Sequence, residues 1–362
     1  FLLIITLAGC VNQERIPLDK NTYIVRVGDY VDVEIDDSNT SGIRLSSKEE
    51  GINIIDNRIY TISSGQYEVS VHAKGYQSSM IYIDVIDDDD LQMRVYFVDV
   101  GQADAMIAVL PNGEVLMIDA GLDHYSILDE GDYPSWDHIE DVLERENIST
   151  IDHFIITHNH ADHYYYVPDI LENYEVLNVY GSGSTRQNFQ FLNIMQSIHD
   201  AGLVLQIVNV YDKIIDEEGL SLQVVSSKRV INEPNDEVNY SSVMTKLTFR
   251  NRSFMLTGDA GSAEGDGESI ALAANIDLSS DVLKVGHHGS YASSSVRFLM
   301  AVSPTYAVIT DASVTLTNHP HQSTLNRLAL IDAQVYRTSQ HGTILFTTDG
   351  FDLDVQTIST GD

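Results

Sequence analysis

The chain has 362 residues, 43% of them hydrophobic, enough for sizeable cores and for two or three domains at roughly 150 residues each. Lys plus Arg number 20 against 54 Asp plus Glu, a net charge of −34, which excludes holding nucleic acid on a basic surface and docking on anionic lipid by charge. A single cysteine excludes an internal disulfide framework and a cysteine-rich zinc module.

Residues 1–7 are apolar apart from Thr6 and run into Leu7-Ala8-Gly9-Cys10. A stretch this short cannot span a bilayer, which takes about 20 residues. It resembles the end of a bacterial lipoprotein signal, in which the cysteine is lipidated. The resemblance makes Cys10 a lipid anchor and sets residues 1–10 aside as a signal remnant. It places the protein outside the cell, tethered at the outer face of a bacterial membrane.

Residues 21–86 read as seven or so short strands, with alternating or β-branched runs at 23–27, 30–35, 67–71 and 80–85 separated by Gly, Asp, Asn and Ser turns. They predict a small all-β domain resembling bacterial immunoglobulin-like spacers. No residue cluster there suggests chemistry, and His72 reads as structural. Residues 87–92, which include Asp87-Asp88-Asp89-Asp90, read as an acidic linker.

From residue 93 strands alternate with helices. Strands are predicted at 93–100, 105–110 and 114–119. An amphipathic helix follows at 135–145 with Ser135 as its N-cap, then a strand at 151–156 and a helix at 188–201. Strands at 243–249, 254–256 and 282–285 precede helices at 294–302 and 322–331. Buried apolar strands interleaved with helices call for an α/β architecture of sheets covered by helices.

Thr157-His158-Asn159-His160-Ala161-Asp162-His163 follows the strand at 151–156 directly. Side chains two apart on extended backbone share a side, so His158 and His160 can grip one ion. The chain then turns into a helix, and Asp162 and His163 can face a neighbouring ion. Two later strands also end in ligand-type residues. Thr257-Gly258-Asp259 offers a carboxylate able to bridge two ions. His287-His288-Gly289-Ser290 offers a last imidazole from either histidine; His287 is read as the ligand and His288 for proton handling, with the choice between them open. Asp119, also at a strand end, reads as orienting the histidine loop by hydrogen bonds.

Asp119-Ala120-Gly121, His-x-His-x-Asp-His, Thr-Gly-Asp and His-His-Gly-Ser, in this order, resemble the metallo-β-lactamase superfamily. Phe97-Val98-Asp99-Val100-Gly101-Gln102-Ala103-Asp104, the segment at 283–290, Asn318-His319-Pro320-His321 and Tyr336-Arg337-Thr338 are more narrowly similar to the hydrolase domain of the DNA-uptake protein ComEC and its free-standing relatives. The resemblance covers about 93–356. It implies an αββα sandwich with one or two divalent ions per chain, Zn or Mn, at one sheet edge, and hydrolysis of a phosphoester by a metal-bound hydroxide. The superfamily usually has a further metal-binding His before the strand leading to Thr-Gly-Asp. Asn239-Tyr240-Ser241-Ser242 stands there instead, leaving the His158/His160 ion one imidazole short. Tyr164-Tyr165-Tyr166 replaces a common Gly-Gly and reads as helix packing, with a narrowed site mouth as the alternative.

Under this reading Asp162, Asp259, Lys284, His288 and His319 carry the chemistry. Lys284, His288 or His319 serves the leaving oxygen, and Lys284 reads equally as a paired strand residue. Gln102, Asn239, Ser242 and Ser290 support the site or contact substrate, Ser242 and Ser290 with turn or cap roles as the alternative. His124, His138, His153, His199 and His341 lack ligand spacing. The expected function is an exported phosphodiesterase or nuclease without a stable nucleic-acid partner. The alternatives are an esterase acting on cell-wall or teichoic-acid substituents, similar to phosphorylcholine esterases, and a non-catalytic surface binding module.

Overall fold

The computed structural model describes residues 15–16, 18, 21–33, 42–86, 91–122, 135–185, 189–217, 219–231, 238–239, 241–313 and 318–359. Cys10, the aspartates at 87–90, His124 and Tyr240 lie outside them. The chain divides into two compact units, 1–90 and 91–362.

The first unit holds β1 (Thr22–Arg26), β2 (Tyr30–Asp32), β3 (Arg44–Ser46), β4 (Ile52–Ile55), β5 (Arg58–Thr61), β6 (Gly65–His72) and β7 (Ser79–Ile86). They form a four-stranded sheet in the order β1-β7-β6-β3 and a three-stranded one, β2-β5-β4. Period-two alternation decides what is inside. Tyr67, Val69 and Val71 of β6 and Ile81, Ile83 and Val85 of β7 are buried in one apolar cluster with Val31, Ile52 and Ile59 of the smaller sheet. His72 is held between Ser46 Oγ (3.0 Å from Nε2) and Ser78 Oγ (2.7 Å from Nδ1), a strand-to-strand pin.

The second unit begins with β8 (Met93–Phe97), β9 (Met106–Val109), β10 (Val115–Ile118), α1 (Ser135–Arg145), β11 (Thr150–Ile151), β12 (His153–Ile156), α2 (Ala161–Tyr164) and α3 (Val167–Asn173). After β13 (Glu175–Val176), β14 (Val179–Gly181), α4 (Phe189–Asp200) and β15 (Leu205–Ile207) come the strands of a second sheet. These are β16 (Lys213–Glu217), β17 (Leu220–Ser226), β18 (Met244–Phe249), β19 (Arg252–Leu256), β20 (Val282–Lys284), β21 (Tyr306–Ile309) and β22 (Gln334–Arg337), with α5 (Gly267–Ala273), α6 (Val296–Val302), α7 (Gln322–Leu330) and α8 (Thr338–His341) between or after them. The hairpin of β23 (Thr343–Thr348) and β24 (Leu353–Ile358) returns to the first sheet, whose order is β15-β14-β12-β10-β9-β8-β23-β24.

Each strand divides its side chains between two cores. Val95 and Phe97 of β8 and Ile155 of β12 meet Leu247, Phe254, Val282 and Val308 of the second sheet in a central cluster. Tyr96, Phe154 and Ile156 face the other way, onto Ile139, Leu143, Val167 and Ile194 of the helices. Met255, Leu283 and Ala307 likewise face Phe298, Leu299 and Leu328. Helices, sheet, sheet, helices: the αββα layering expected of the sequence is the fold. Phe346 ties the centre together, edge-on to Phe97 (6.0 Å) and Phe254 (5.9 Å), contacts each worth roughly 0.5–1.5 kcal/mol beyond burial.

Ser135 corrects the sequence reading. It is the first residue of α1, and its hydroxyl donates to the Val100 carbonyl at 3.2 Å, tying the helix to the loop after β8. The cap of α6 is Ser295, which accepts from the Phe298 N–H at 3.3 Å. Tyr164 and Tyr166 are buried in the helix-facing cluster and Tyr165 packs against it, so all three serve packing. Among the described residues no helix is long and apolar enough to cross a membrane.

Candidate metal centre

The site lies at the carboxyl ends of strands. β10 and β12 run parallel, as do β19, β20 and β21. Asp119, Thr157-His158, Thr257-Gly258-Asp259, Gly286–Gly289 and Thr310 are the residues that leave these strand ends. Gly258 allows the approach between the sheets: its φ is +51°, and a Cβ there would come within 3.0 Å of the Thr157 side chain.

Asp162, His163, Asp259 and His288 each offer one ligand atom, and these atoms lie within 4.8 Å of one another. His163 Nε2 is 3.3 Å from Asp259 Oδ2, and His288 Nε2 is 3.4 Å from Asp162 Oδ2 and 3.6 Å from Asp259 Oδ2. The other ring nitrogens are committed elsewhere. His163 Nδ1 donates to Asp119 Oδ2 at 2.7 Å, and His288 Nδ1 to the Thr310 carbonyl at 2.9 Å. Asp119 also accepts from the N–H (2.8 Å) and hydroxyl (2.7 Å) of Thr157. Both imidazoles are therefore locked with Nε2 facing the cluster, the arrangement by which outer partners orient metal ligands. His163 Nε2, His288 Nε2 and Asp259 Oδ1 are buried without a hydrogen-bond partner. Orphaned nitrogens and a carboxylate oxygen of this kind fit a divalent cation.

The electrostatics agree. Burial pushes the His163 ring down, but Asp259, Asp119 and Asp162 outweigh it and hold it well above its ordinary value. Burial pushes the Asp259 carboxyl up, yet His163, His288 and His287 bring it well below. The buried carboxylates of Asp104, Asp119 and Asp259 and the half-buried one of Asp162 gather here, and one ammonium, Lys284, stands beside Asp104 and Asp259. Such a cluster asks for added positive charge, from protons on the rings or from a metal.

His158 Nε2 stands 3.0 Å from His160 Nδ1 and 4.0 Å from Asp259 Oδ2, so His158 reaches the same carboxylate and His160 stands beside it. Burial, then His163 and His160, press the His158 pKa well down, keeping the ring neutral and fit to bind a cation. Asn239, in place of a third imidazole, directs Nδ2 at His287 (3.3 Å to Nδ1), and its buried Oδ1 has no partner.

The geometry reverses the expected roles of His287 and His288. His287 lies outside the four-residue group, its Nε2 3.7 Å from Asp259 Oδ2 and its side chain 29% exposed. Both residues have left-handed backbone, φ 49° and 50°, so neither strand alternation nor helical spacing applies. Of the two readings of Lys284, the geometry matches the paired strand residue. It is buried, 2.5 Å from Asp104 Oδ2, and donates to the Gly258 carbonyl at 3.2 Å. Asp104 accepts from Thr310 Oγ1 at 2.5 Å, so Lys284, Asp104, Thr310 and His288 form one buried chain.

Ser242 Oγ accepts from the Asp259 N–H (3.2 Å), supporting the segment that carries that carboxylate, and Ser290 Oγ accepts from the Ala292 N–H (3.3 Å), a turn role. Gln102 is buried in the loop between β8 and β9. Burial and then His287, His288 and His321 push the His319 pKa down to about 3, so it stays neutral and is a poor proton donor. Its ring lies 5.3 Å from His287 and 4.8 Å from His321. His138 meets the Asp99 carbonyl, His153 meets Glu114, and His341 meets the Arg337 backbone, while His199 is exposed beside Asp200. The sequence reading passed over Asp104 as a functional group, although it stands in the quoted Gln102-Ala103-Asp104. It also passed over Thr310, for which no local pattern exists.

Gly289 has φ +84°, and a Cβ there would meet Pro320 Cβ at 2.5 Å. The loop of His319 and His321 packs directly on the turn that carries His288, and the His321 N–H donates to the Gly289 carbonyl at 2.9 Å. Gly289→Ala is expected to cost about 1–3 kcal/mol in urea denaturation and to lower activity by displacing this loop.

A sequence model of the metallo-beta-lactamase superfamily matches residues 98–310. ComE operon protein 3 of Bacillus subtilis (strain 168) is 28% identical over 260 residues, covering 70% of this chain and 33% of that protein. Competence protein ComA of Neisseria gonorrhoeae is 34% identical over 112 residues, covering 31% of this chain and 16% of that protein. The chain thus spans a third or less of these relatives' own length. Among solved structures it is similar to the metallo-beta-lactamase fold protein YhfI from Bacillus subtilis, with a TM-score of 0.48 and 9% identity, covering 71% of this chain and 100% of that one.

Proposed function

Since the chain belongs to the metallo-beta-lactamase superfamily, we propose that it is an exported metal-dependent hydrolase of phosphodiesters, anchored through Cys10. The observation that carries the hydrolytic reading is the convergence of Asp162, His163, Asp259 and His288 around orphaned ring nitrogens. Zn or Mn bound there supplies Lewis acidity and activates water near neutral pH. Export and lipidation are supported by Leu7-Ala8-Gly9-Cys10.

The residues divide the work. Asp259 turns one oxygen, Oδ2, toward His163, His158, His287 and His288, and would hold bound cations together with these rings. Asp119 and Thr310 hold the tautomers of His163 and His288. His287 is the part-exposed imidazole beside Asp259, placed to contact the leaving group of the substrate. Neutral His319 contacts substrate without protonating it.

A second reading, an esterase of cell-wall or teichoic-acid substituents, is favoured by the net charge of −34, which opposes the approach of long DNA. One screen tests both. With Zn or Mn added, the protein is expected to cleave bis-p-nitrophenyl phosphate and to lose that activity in EDTA. Faster turnover of p-nitrophenyl phosphorylcholine selects the second reading. Cleavage of nitrocefin alone, or no metal in the loaded protein by elemental analysis, overturns both.

A further inference from the structure

One pair of cations, Lys228 and Arg229, is tied by hydrogen bonds to the loops that flank this centre. Asn159, between the two leading histidines of the motif, donates from Nδ2 to the Ser184 carbonyl at 2.7 Å, tying the loop after β14 to the metal loop. The segment after β17 is pinned to that loop. Ser184 Oγ meets the Lys228 carbonyl (3.3 Å) and accepts from the Val230 N–H (2.8 Å), while the Thr185 N–H donates to the Val230 carbonyl (2.9 Å). Arg229 Nε donates to the Gly183 carbonyl at 3.0 Å. Lys228 Nζ reaches the other way, to the Gly265 carbonyl at 3.2 Å, in the loop that follows Asp259. The two adjacent cations therefore reach the loop after β14 on one side and the loop after Asp259 on the other.

Both side chains are exposed. Among the described residues no carboxylate lies within ion-pair distance of Arg229, and its Nε donates to a backbone carbonyl, which leaves the Nη groups to other partners. In a chain with 54 acidic residues and 20 basic ones, a guanidinium held by a backbone carbonyl, with no carboxylate beside it among the described residues, is a local exception to the field. A planar guanidinium suits the bidentate geometry of a phosphate.

We propose that Arg229, assisted by Lys228, forms an anion subsite for a second phosphate group of the substrate, one removed from the phosphorus at the metal centre. The substrate class is then a chain of at least two phosphate groups, of nucleotide or polyol type. This rests on the phosphodiesterase reading and supplies what it lacks, positive charge that offsets the repulsion between an acidic enzyme and a polyanion.

The test uses the metal-loaded full chain and two pairs of probes differing by one phosphate: TpT with 5′-phosphorylated pTpT, and glycerophosphoglycerol with its terminally phosphorylated form. Binding by calorimetry is measured beside turnover. Wild type is expected to prefer the longer member of a pair by about tenfold, the worth of one charge-assisted contact. Arg229→Gln loses the preference, Arg229→Lys restores part of it, and Lys213→Gln, which removes an equal charge from β16, leaves it intact. The pair with the larger preference identifies the source. Equal affinity within both pairs, or a preference that survives Arg229→Gln, overturns the subsite. Should no diester be cleaved while the binding preference persists and depends on Arg229, the subsite stands and the hydrolase reading falls.

Discussion

Asp259→Asn is expected to lower kcat by about 10²–10³-fold or more and to reduce bound metal, read by elemental analysis beside turnover of bis-p-nitrophenyl phosphate. The size follows from geometry. Oδ2 lies 3.3 Å from His163 Nε2, 3.6 Å from His288 Nε2, 3.7 Å from His287 Nε2 and 4.0 Å from His158 Nε2, so one atom serves every histidine of the site except His160. Asparagine keeps the shape and the bond from the Asp259 N–H to Ser242 but removes the charge. Metal-free stability should also respond. The Asp259 carboxyl is depressed in the folded protein, so it stabilises the fold above its unfolded pKa of about 3.9 and loses that contribution as pH falls through the folded value. The gap between wild type and Asp259→Asn is therefore open at neutral pH and closes in acid. Asp119→Asn, one step removed, should cost about 10–100-fold. Full activity in Asp259→Asn would end its role in holding the cations.

What was readable before the structure follows from the range of the forces involved. The helix predicted at 135–145 is α1, since an amphipathic stripe is a local pattern. The strands at 243–249 and 254–256 match β18 and β19 within two residues because alternation and apolarity are local too. Strands β13 to β17 went unread. Several have only two or three residues, and β16 shows one buried residue among five. The hairpin β23–β24 joins β8, some 250 residues earlier by number, and nothing local announces so distant a pairing.

The site divides in the same way. His158, His160, Asp162 and His163 were legible because spacing alone brings neighbours in sequence to one ion. The choice between His287 and His288 was not, since it depends on two consecutive left-handed residues and on Thr310, 22 positions away, accepting from His288. Strain of that kind, of order 1–3 kcal/mol per residue, is offset by the bonds it permits and belongs to functional turns. Lys284 shows a related case: a cation next to a metal motif reads equally as chemistry or as a paired residue until the partner, Asp104, is found 180 residues earlier in the chain.

That partnership yields the second large effect. Lys284→Met leaves Asp104 as a buried carboxylate without its ammonium, and breaking such a pair costs about 3–5 kcal/mol. In the wild type, burial pushes the Asp104 carboxyl up, but Lys284, His288 and His163 together bring it below its ordinary value. Without Lys284 burial gains the upper hand and the folded pKa rises above the unfolded one. Stability of the variant must then increase as pH falls through that raised value, the reverse of the wild-type trend for this group. Urea denaturation between pH 4 and pH 8 should show the deficit largest at the neutral end. The double variant Lys284→Met/Asp104→Asn removes the stranded charge while keeping an acceptor for Thr310, and should recover most of the stability. If Lys284 instead protonated the leaving group, the single variant would fold with near wild-type stability and lose only turnover. A buried pair that holds Thr310, and through it His288, predicts loss of both, with the double variant regaining the first more fully than the second.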